Sequence, residues 1–299
     1  MLKISNLEKS YGGFKVLKGL NMTVNKGDVY GFLGRNGCGK TTTMNIVSNI
    51  IPKDSGEITF GKEDVKIGYL PESPAMYDYM NAYEYLEYIA ACCKYQGDVK
   101  ARIKEVLSLT GMLEDGKRRI KGYSRGMNQR LGIAATIFNS PDLLILDEPT
   151  SALDPQGRAE VMNIISELAK TGTTIILCTH ILSDVERVAN RIGIVRNGVM
   201  AVEGDIEEIR KSYEENNKKI ILSVFGDAIQ AVNVVAEITE GNFAYKEKTG
   251  EIIIPLFPED KEDEKAKLVL DALLKKGIVP DSFVFSKKTL EEIYLETIS

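Results

Sequence analysis

The spacing of apolar residues changes along this chain, and each change marks a different kind of element. Leu2 and Ile4 open a strand-like alternation, and Tyr11 in EKSYGG stands before a hairpin-like segment. Val29, Tyr30, Phe32 and Leu33 then form a continuous apolar run, which predicts a buried strand, and Met44, Val47 and Ile51 follow at helical spacing. Ile67, Gly68, Tyr69 and Leu70 read as another strand. The run Leu143, Leu144, Ile145, Leu146 has the pattern of a strand covered on both faces, as in a parallel sheet, and residues 173–178 form a second such run. Val161, Ile164, Ile165 and Leu168 place one face of a helix between these two strands, and Gly172 stops it. A right-handed crossover would set the two strands side by side. The expected class is α/β with a mixed sheet core.

Two stretches break this rhythm. Between Glu72 and Ser124 the sequence turns tyrosine-rich and helical, with Asn81 and Glu84 as a helix start and Ala82, Leu86, Ile89, Ala90 and Cys93 along one side. A helical subdomain is expected over about residues 73–135. After Gly204 comes a short charged helix with Asp205 and Glu208 at its start, and the pattern fades around residues 214–218. The domain boundary is placed there, giving 1–214 and 215–299. Beyond it the order is strand 220–225, helix 228–238, strands 243–246 and 251–256, helix 262–276, strand 278–285, which suggests a small α+β ferredoxin-like unit. A last helix begins at a capping box of Thr289 and Glu292. The tail carries no catalytic constellation.

Chemistry enters at residues 34–42, where GRNGCGKTT fits the phosphate loop G-x-x-x-x-G-K-S/T between a strand and a helix. Gly34, Arg35, Asn36, Gly37, Cys38, Gly39, Lys40, Thr41 and Thr42 are therefore candidate nucleotide contacts. The glycines let backbone N–H groups turn toward phosphate oxygens, Lys40 can reach the outer phosphates, and Thr41 can ligate magnesium. The buried run Leu143–Leu146 ends in Asp147 and Glu148 before Pro149. Two carboxylates at a buried strand tip are costly unless used. Asp147 is placed for the magnesium shell, and Glu148 for polarising the attacking water. His180, the only histidine, follows the next strand and so falls near Glu148.

The stretch from Ser124 to Asp154 resembles the ATPase subunit of an ATP-binding cassette (ABC) transporter, with YSRGMNQR at 123–130, LLILDEP at 143–149 and TSALD at 150–154 in the family's order. The resemblance covers about two-thirds of the chain and implies a P-loop ATPase that binds ATP and Mg2+. It implies a head-to-tail dimer, homodimeric or pseudo-symmetric, in which Ser124 and Gly126 of one subunit close on the γ-phosphate held by the other. It also implies that His180 senses that phosphate, that Tyr11 stacks on adenine, and that the helical subdomain docks on integral membrane permease subunits, with Met76, Tyr77, Tyr79 and Met80 as candidate contacts. Two positions depart from the common pattern. The signature reads YSRGM where LSGGQ is usual, and Glu72 stands where glutamine contacts the metal and water. Glutamate can still ligate magnesium but adds negative charge beside the phosphates. The tail resembles that of ABC-2 multidrug and sodium exporters, so the expected activity is ATP hydrolysis driving export. The alternative is a soluble cassette ATPase of translation or DNA repair.

Composition agrees with this reading. A net charge of −5 with no basic run argues against a nucleic-acid partner. No apolar span is long enough to cross a bilayer, and Met1 leads straight into a strand, so a cytoplasmic protein held at the membrane through its permease is expected. Cys38, Cys92, Cys93 and Cys178 lack zinc spacing and are expected as reduced thiols.

Overall fold

Continuous apolar strands joined by amphipathic helices must stack as layers, and the computed structural model shows how this chain does so. It describes residues 1–214, 218–224, 228–257, 260–286 and 289–298. The chain divides into two compact units, Met1–Ile206 with Thr297–Ser299, and Glu207–Glu296. The break falls after the first residue of the charged helix that the sequence assigned to the first domain. Periodicity shows where a helix stops, but not which body it belongs to.

In the first unit, β1 (Leu2–Tyr11) and β2 (Phe14–Val24) form a hairpin through Gly12 and Gly13, both at positive φ. Next come β3 (Val29–Gly34), α1 (Lys40–Val47), β4 (Ser55–Phe60) and β5 (Ile67–Leu70). Three helices follow, α2 (Ala82–Cys92), α3 (Val99–Leu109) and α4 (Arg125–Thr136), which make up the helical stretch expected from the sequence. The chain then runs through β6 (Leu143–Asp147), α5 (Pro155–Lys170), β7 (Thr174–Thr179), α6 (Leu182–Val188), β8 (Arg191–Arg196) and β9 (Val199–Asp205). Its six-stranded sheet has the order β5-β6-β7-β3-β8-β9, parallel except for the last strand. A three-stranded antiparallel sheet, β2-β1-β4, lies beside it.

The two sheets share one core. Leu2, Ile4, Leu7, Leu17 and Leu20 pack with Tyr30, Phe32, Met44 and Val47, all buried. At about 1.5–3 kcal/mol for each fully buried large apolar side chain, this cluster fixes β3 against α1 and with them the loop between. The first helix is shorter than its spacing predicts. It stops at Val47, Asn49 turns left-handed at φ 56, and Ile51 packs on the core from outside the helix. Pro52 disfavours helical backbone at Ile51, so the helix could not have run on through it. In α2 the Asn81–Glu84 capping box is present in both directions, while Cys93 is the C-cap and the buried Tyr85 joins the packed face.

The elements of the second unit are α7 (Ile206–Glu214, from Glu207 on), β10 (Lys219–Val224), α8 (Ala228–Ile238), β11 (Ala244–Lys246), β12 (Glu251–Pro255), α9 (Glu262–Lys275), β13 (Pro280–Ser286) and α10 (Leu290–Ile298, as far as Glu296). Its antiparallel sheet has the order β11-β12-β10-β13. Ile220, Leu222, Ile252 and Ile254 form a core with Val235, Val269 and Leu273 of the helices. No helix among the described residues is long and apolar enough to cross a membrane.

Candidate functional site

The loop after β3 is shaped by glycines that cannot be replaced in place. Gly39 has φ 108, and a Cβ on it would lie 2.5 Å from Leu17 Cδ2. On Gly34 a Cβ would lie 2.8 Å from the Val195 carbonyl oxygen. Lys40 opens α1 and folds back, its Nζ donating to the Gly34 carbonyl at 2.7 Å. The loop thus ends with a helix N-terminus and a buried ammonium beside one another, both favourable to anions.

Parallel pairing of β6 with β7 brings the carboxylates and the histidine to the same sheet end. Asp147 is 1% exposed, and burial pushes its carboxyl above the usual aspartate range, against a hydrogen bond from Thr41 that pulls it down. Its Oδ2 accepts from the Tyr69 hydroxyl at 3.5 Å, while its Oδ1 is buried with no hydrogen-bond partner. Glu148 has φ 48, a left-handed conformation that a non-glycine residue adopts at a cost of about 1–3 kcal/mol. Its N–H donates to the Cys178 carbonyl at 2.8 Å, which pins the turn to β7. The carboxylate lies 3.0 Å from His180 Nδ1, 3.5 Å from Lys40 Nζ, and accepts from Thr179 Oγ1 at 3.3 Å.

A cleft of about 470 Å³ opens over these groups. Tyr11, Asn36, Gly37, Gly39, Lys40, Thr41, Thr42, Glu72, Glu148 and His180 line it, so most of the residues singled out from the sequence meet in one place. The Tyr11 ring is half exposed at its mouth, with Lys9 Nζ 5.5 Å from the ring centroid. Glu72 Oε1 accepts from Ser151 Oγ at 3.5 Å. Gly34 lies buried at the strand end, whereas Arg35 and Cys38 face an adjoining cleft with Phe14 and Lys18. Thr179, Ser151 and Tyr69 escaped the sequence reading, since single polar residues at strand and loop positions carry no spacing signal. The apolar strand runs that contain Tyr69 or lead to Thr179, and the TSALD motif that contains Ser151, were the pointers to them.

Ser124 and Gly126 are not in this cleft. They line a separate pocket of about 430 Å³ with Arg125, Met127, Asp154 and Gly157. Ser124 caps α4, its Oγ accepting from the Met127 N–H at 3.2 Å. A Cβ on Gly126 would find nothing nearer than Gly157 Cα at 3.8 Å. Nothing among the described residues requires glycine there.

Comparison with known proteins places the chain in a family. A family model described as ABC transporter matches residues 17–151. The lantibiotic transport ATP-binding protein SrtF of Streptococcus pyogenes is 40% identical over 227 residues, covering 74% of this chain and 98% of SrtF. YxlF of Bacillus subtilis, an ABC transporter ATP-binding protein, is 32% identical over 308 aligned residues, covering 100% of this chain and 99% of YxlF. Among solved structures, a dimeric ATP-binding cassette in a post-hydrolysis state bound to ADP and Pi is similar with a TM-score of 0.62 at 25% identity, covering 69% of this chain and 99% of that one. With its P-loop cleft and paired acidic residues, the chain belongs to the ABC transporter ATP-binding proteins. It is a transport ATPase, which sets aside the soluble cassette alternative.

Proposed function

We propose that this subunit hydrolyses ATP between two copies or near-copies of its fold and transmits the resulting closure to membrane permease subunits, driving export. The observation that carries the reading is the Glu148 carboxylate, buried and strained, 3.0 Å from His180 and 3.5 Å from Lys40 at the mouth of a phosphate loop. In this reading the loop amides and Lys40 stabilise phosphate charge. Glu148 takes the proton of the attacking water, and His180 holds both that carboxylate and the γ-phosphate in place. Tyr11 stacks on adenine. Ser124 and Gly126, which do not line the cleft of their own chain, bind the γ-phosphate of the partner's nucleotide, and the open space at Gly126 fits an approach from outside.

Magnesium fits the residues present. Among the described residues no group of three or more His, Cys, Asp or Glu forms a cage, so the ion would take phosphate and water oxygens besides the protein's. The buried, unpartnered Asp147 Oδ1, the Thr41 hydroxyl and Glu72 are the oxygens that would hold it. When bound, the ion supplies positive charge to the phosphate oxygens.

The exposed rings of Tyr77 and Tyr79, 5.7 Å apart beside Met76, support a docking role for the surface next to Glu72. The subunit would then work at the inner face of the membrane, and the second unit would regulate or steady the dimer. The names of SrtF and of the bacitracin transport ATP-binding protein of Enterococcus faecalis, 39% identical, make an antibiotic the cargo class we favour. The test is phosphate release together with co-purification. Magnesium-dependent release, and an integral membrane subunit brought down by the tagged chain, are expected. Equal turnover in a chain that recovers no membrane subunit would contradict the proposal.

A further inference from the structure

The loop that carries Glu148 and the loop that carries His180 are tied together at a single buried carboxylate outside the cleft. Asp184, in the first turn of α6, is 3% exposed. Its Oδ2 accepts from the Thr150 hydroxyl at 2.5 Å, and Thr150, two residues after Glu148, is itself 2% exposed. Its Oδ1 accepts from Arg158 Nε at 2.8 Å, and Arg158 Nη2 donates to Ser183 Oγ at 2.7 Å. A buried carboxylate that receives a hydroxyl and a guanidinium at these distances is held firmly, and it holds its partners equally.

Each partner belongs to a different segment. Thr150 sits in the loop between β6 and α5, flanked by two left-handed non-glycine residues, Glu148 at φ 48 and Ala152 at φ 54. Arg158 lies in α5, one turn past Asp154, and this turn lines the pocket that holds Ser124 and Gly126. Asp184 follows His180 by four residues, and its neighbour Val185 leaves no room for a side chain at Gly31 of β3, where a Cβ would lie 2.4 Å from it. The helix bearing Asp184 is therefore fixed on the strand that leads into the phosphate loop.

A backbone strained at both ends relaxes unless something between them holds it, and the Thr150 to Asp184 bond is placed to do so. We infer that Asp184 is a positioning residue: through Thr150 and Arg158 it keeps the Glu148 loop in register with His180 and joins both to the start of α5 at the signature pocket. It touches no reacting atom. Because the proposal concerns placement of the hydrolytic pair and rests on the proposed roles of Glu148 and His180, its loss must slow turnover while leaving nucleotide binding intact.

The experiment is steady-state ATP hydrolysis by the full chain carrying Asp184→Asn, Thr150→Val or Thr150→Ser, with Glu148→Gln alongside and fluorescent-ATP binding measured for each. Asp184→Asn and Thr150→Val are expected to lower kcat about 10- to 100-fold, the range for misplaced catalytic groups, with the KM for ATP unchanged. Thr150→Ser, which keeps the hydroxyl, should restore most of the rate. Parental kcat in Asp184→Asn and Thr150→Val, or loss of ATP binding in step with kcat, overturns the inference. So does a Thr150→Ser as slow as Thr150→Val. If Glu148→Gln itself turns over at the parental rate, the assignment of the water-activating residue fails instead, and the result is told apart by that control.

Discussion

The phosphate-loop cleft and the signature pocket lie on the same unit, yet they are built in opposite ways. The cleft is crowded with buried charge. Lys40, Asp147 and Glu148 are each less than a tenth exposed, and Glu148 is held in strained backbone by bonds to Cys178, Thr179 and His180. The signature pocket has an exposed serine cap, an exposed Arg125 and a glycine with open space above it. Buried charge without a full set of partners is costly, and so is strain, so the cleft stores free energy that a nucleotide can release. The pocket stores little. It is a surface whose glycine meets no close neighbour among the described residues, as the proposed half-site completed by a second chain requires.

The largest effect should come from the crowded side. Glu148→Gln keeps the shape and removes the proposed base, so hydrolysis should fall about 1,000-fold, within the range for loss of general-base catalysis, while ATP binding persists. A variant that releases phosphate at the parental rate would break the contrast at its strongest point. On the open side, Gly126→Val should cut hydrolysis about 100-fold, comparable to losing one phosphate-facing donor, yet leave single-chain ATP binding within about twofold. Weakened binding in the isolated chain would show that Gly126 serves its own cleft.

A smaller effect concerns stability. Asp147 is 1% exposed and burial disfavours its charge, so Asp147→Asn should stabilise the nucleotide-free protein by roughly 1–3 kcal/mol while removing magnesium-dependent turnover. Burial raises the folded-state pKa of Asp147 above its unfolded value, so its contribution favours the fold at low pH and is lost as pH rises through the raised value. Melting curves of parent and variant should diverge in that direction across the window, and parallel curves would contradict it. The smallest change is expected at the exposed Glu72. Glu72→Gln removes one negative charge beside the phosphates and should lower the KM for ATP by no more than about fivefold. An unchanged KM would mean that its charge is screened from the nucleotide.

The cleft was largely legible in the sequence because its main residues sit at the ends of strands with unmistakable apolar runs. Once Leu143 to Leu146 and residues 173–178 are neighbouring parallel strands, Glu148 and His180 must emerge side by side, and they do. What stayed hidden depends on register and backbone conformation. No spacing marks Thr179 as a donor to Glu148, and none pairs Thr150 with Asp184 across thirty-four positions. The end of α1 was misplaced for a related reason: Ile51 keeps the helical spacing and reaches the same core, although the backbone has already turned at Asn49. The signature pocket was legible only through resemblance. Its serine is a good helix cap in its own right, and nothing local separates that role from one toward a second chain.

The most direct test of the central claim is the solution mass of Glu148→Gln by light scattering, with and without magnesium and ATP. The account predicts that nucleotide takes the protein from 33.1 kDa to twice that mass, and that adding Gly126→Val holds it at the lower value with ATP still bound. A mass that ignores ATP in Glu148→Gln, or a dimer that forms as well with Gly126→Val, would contradict it.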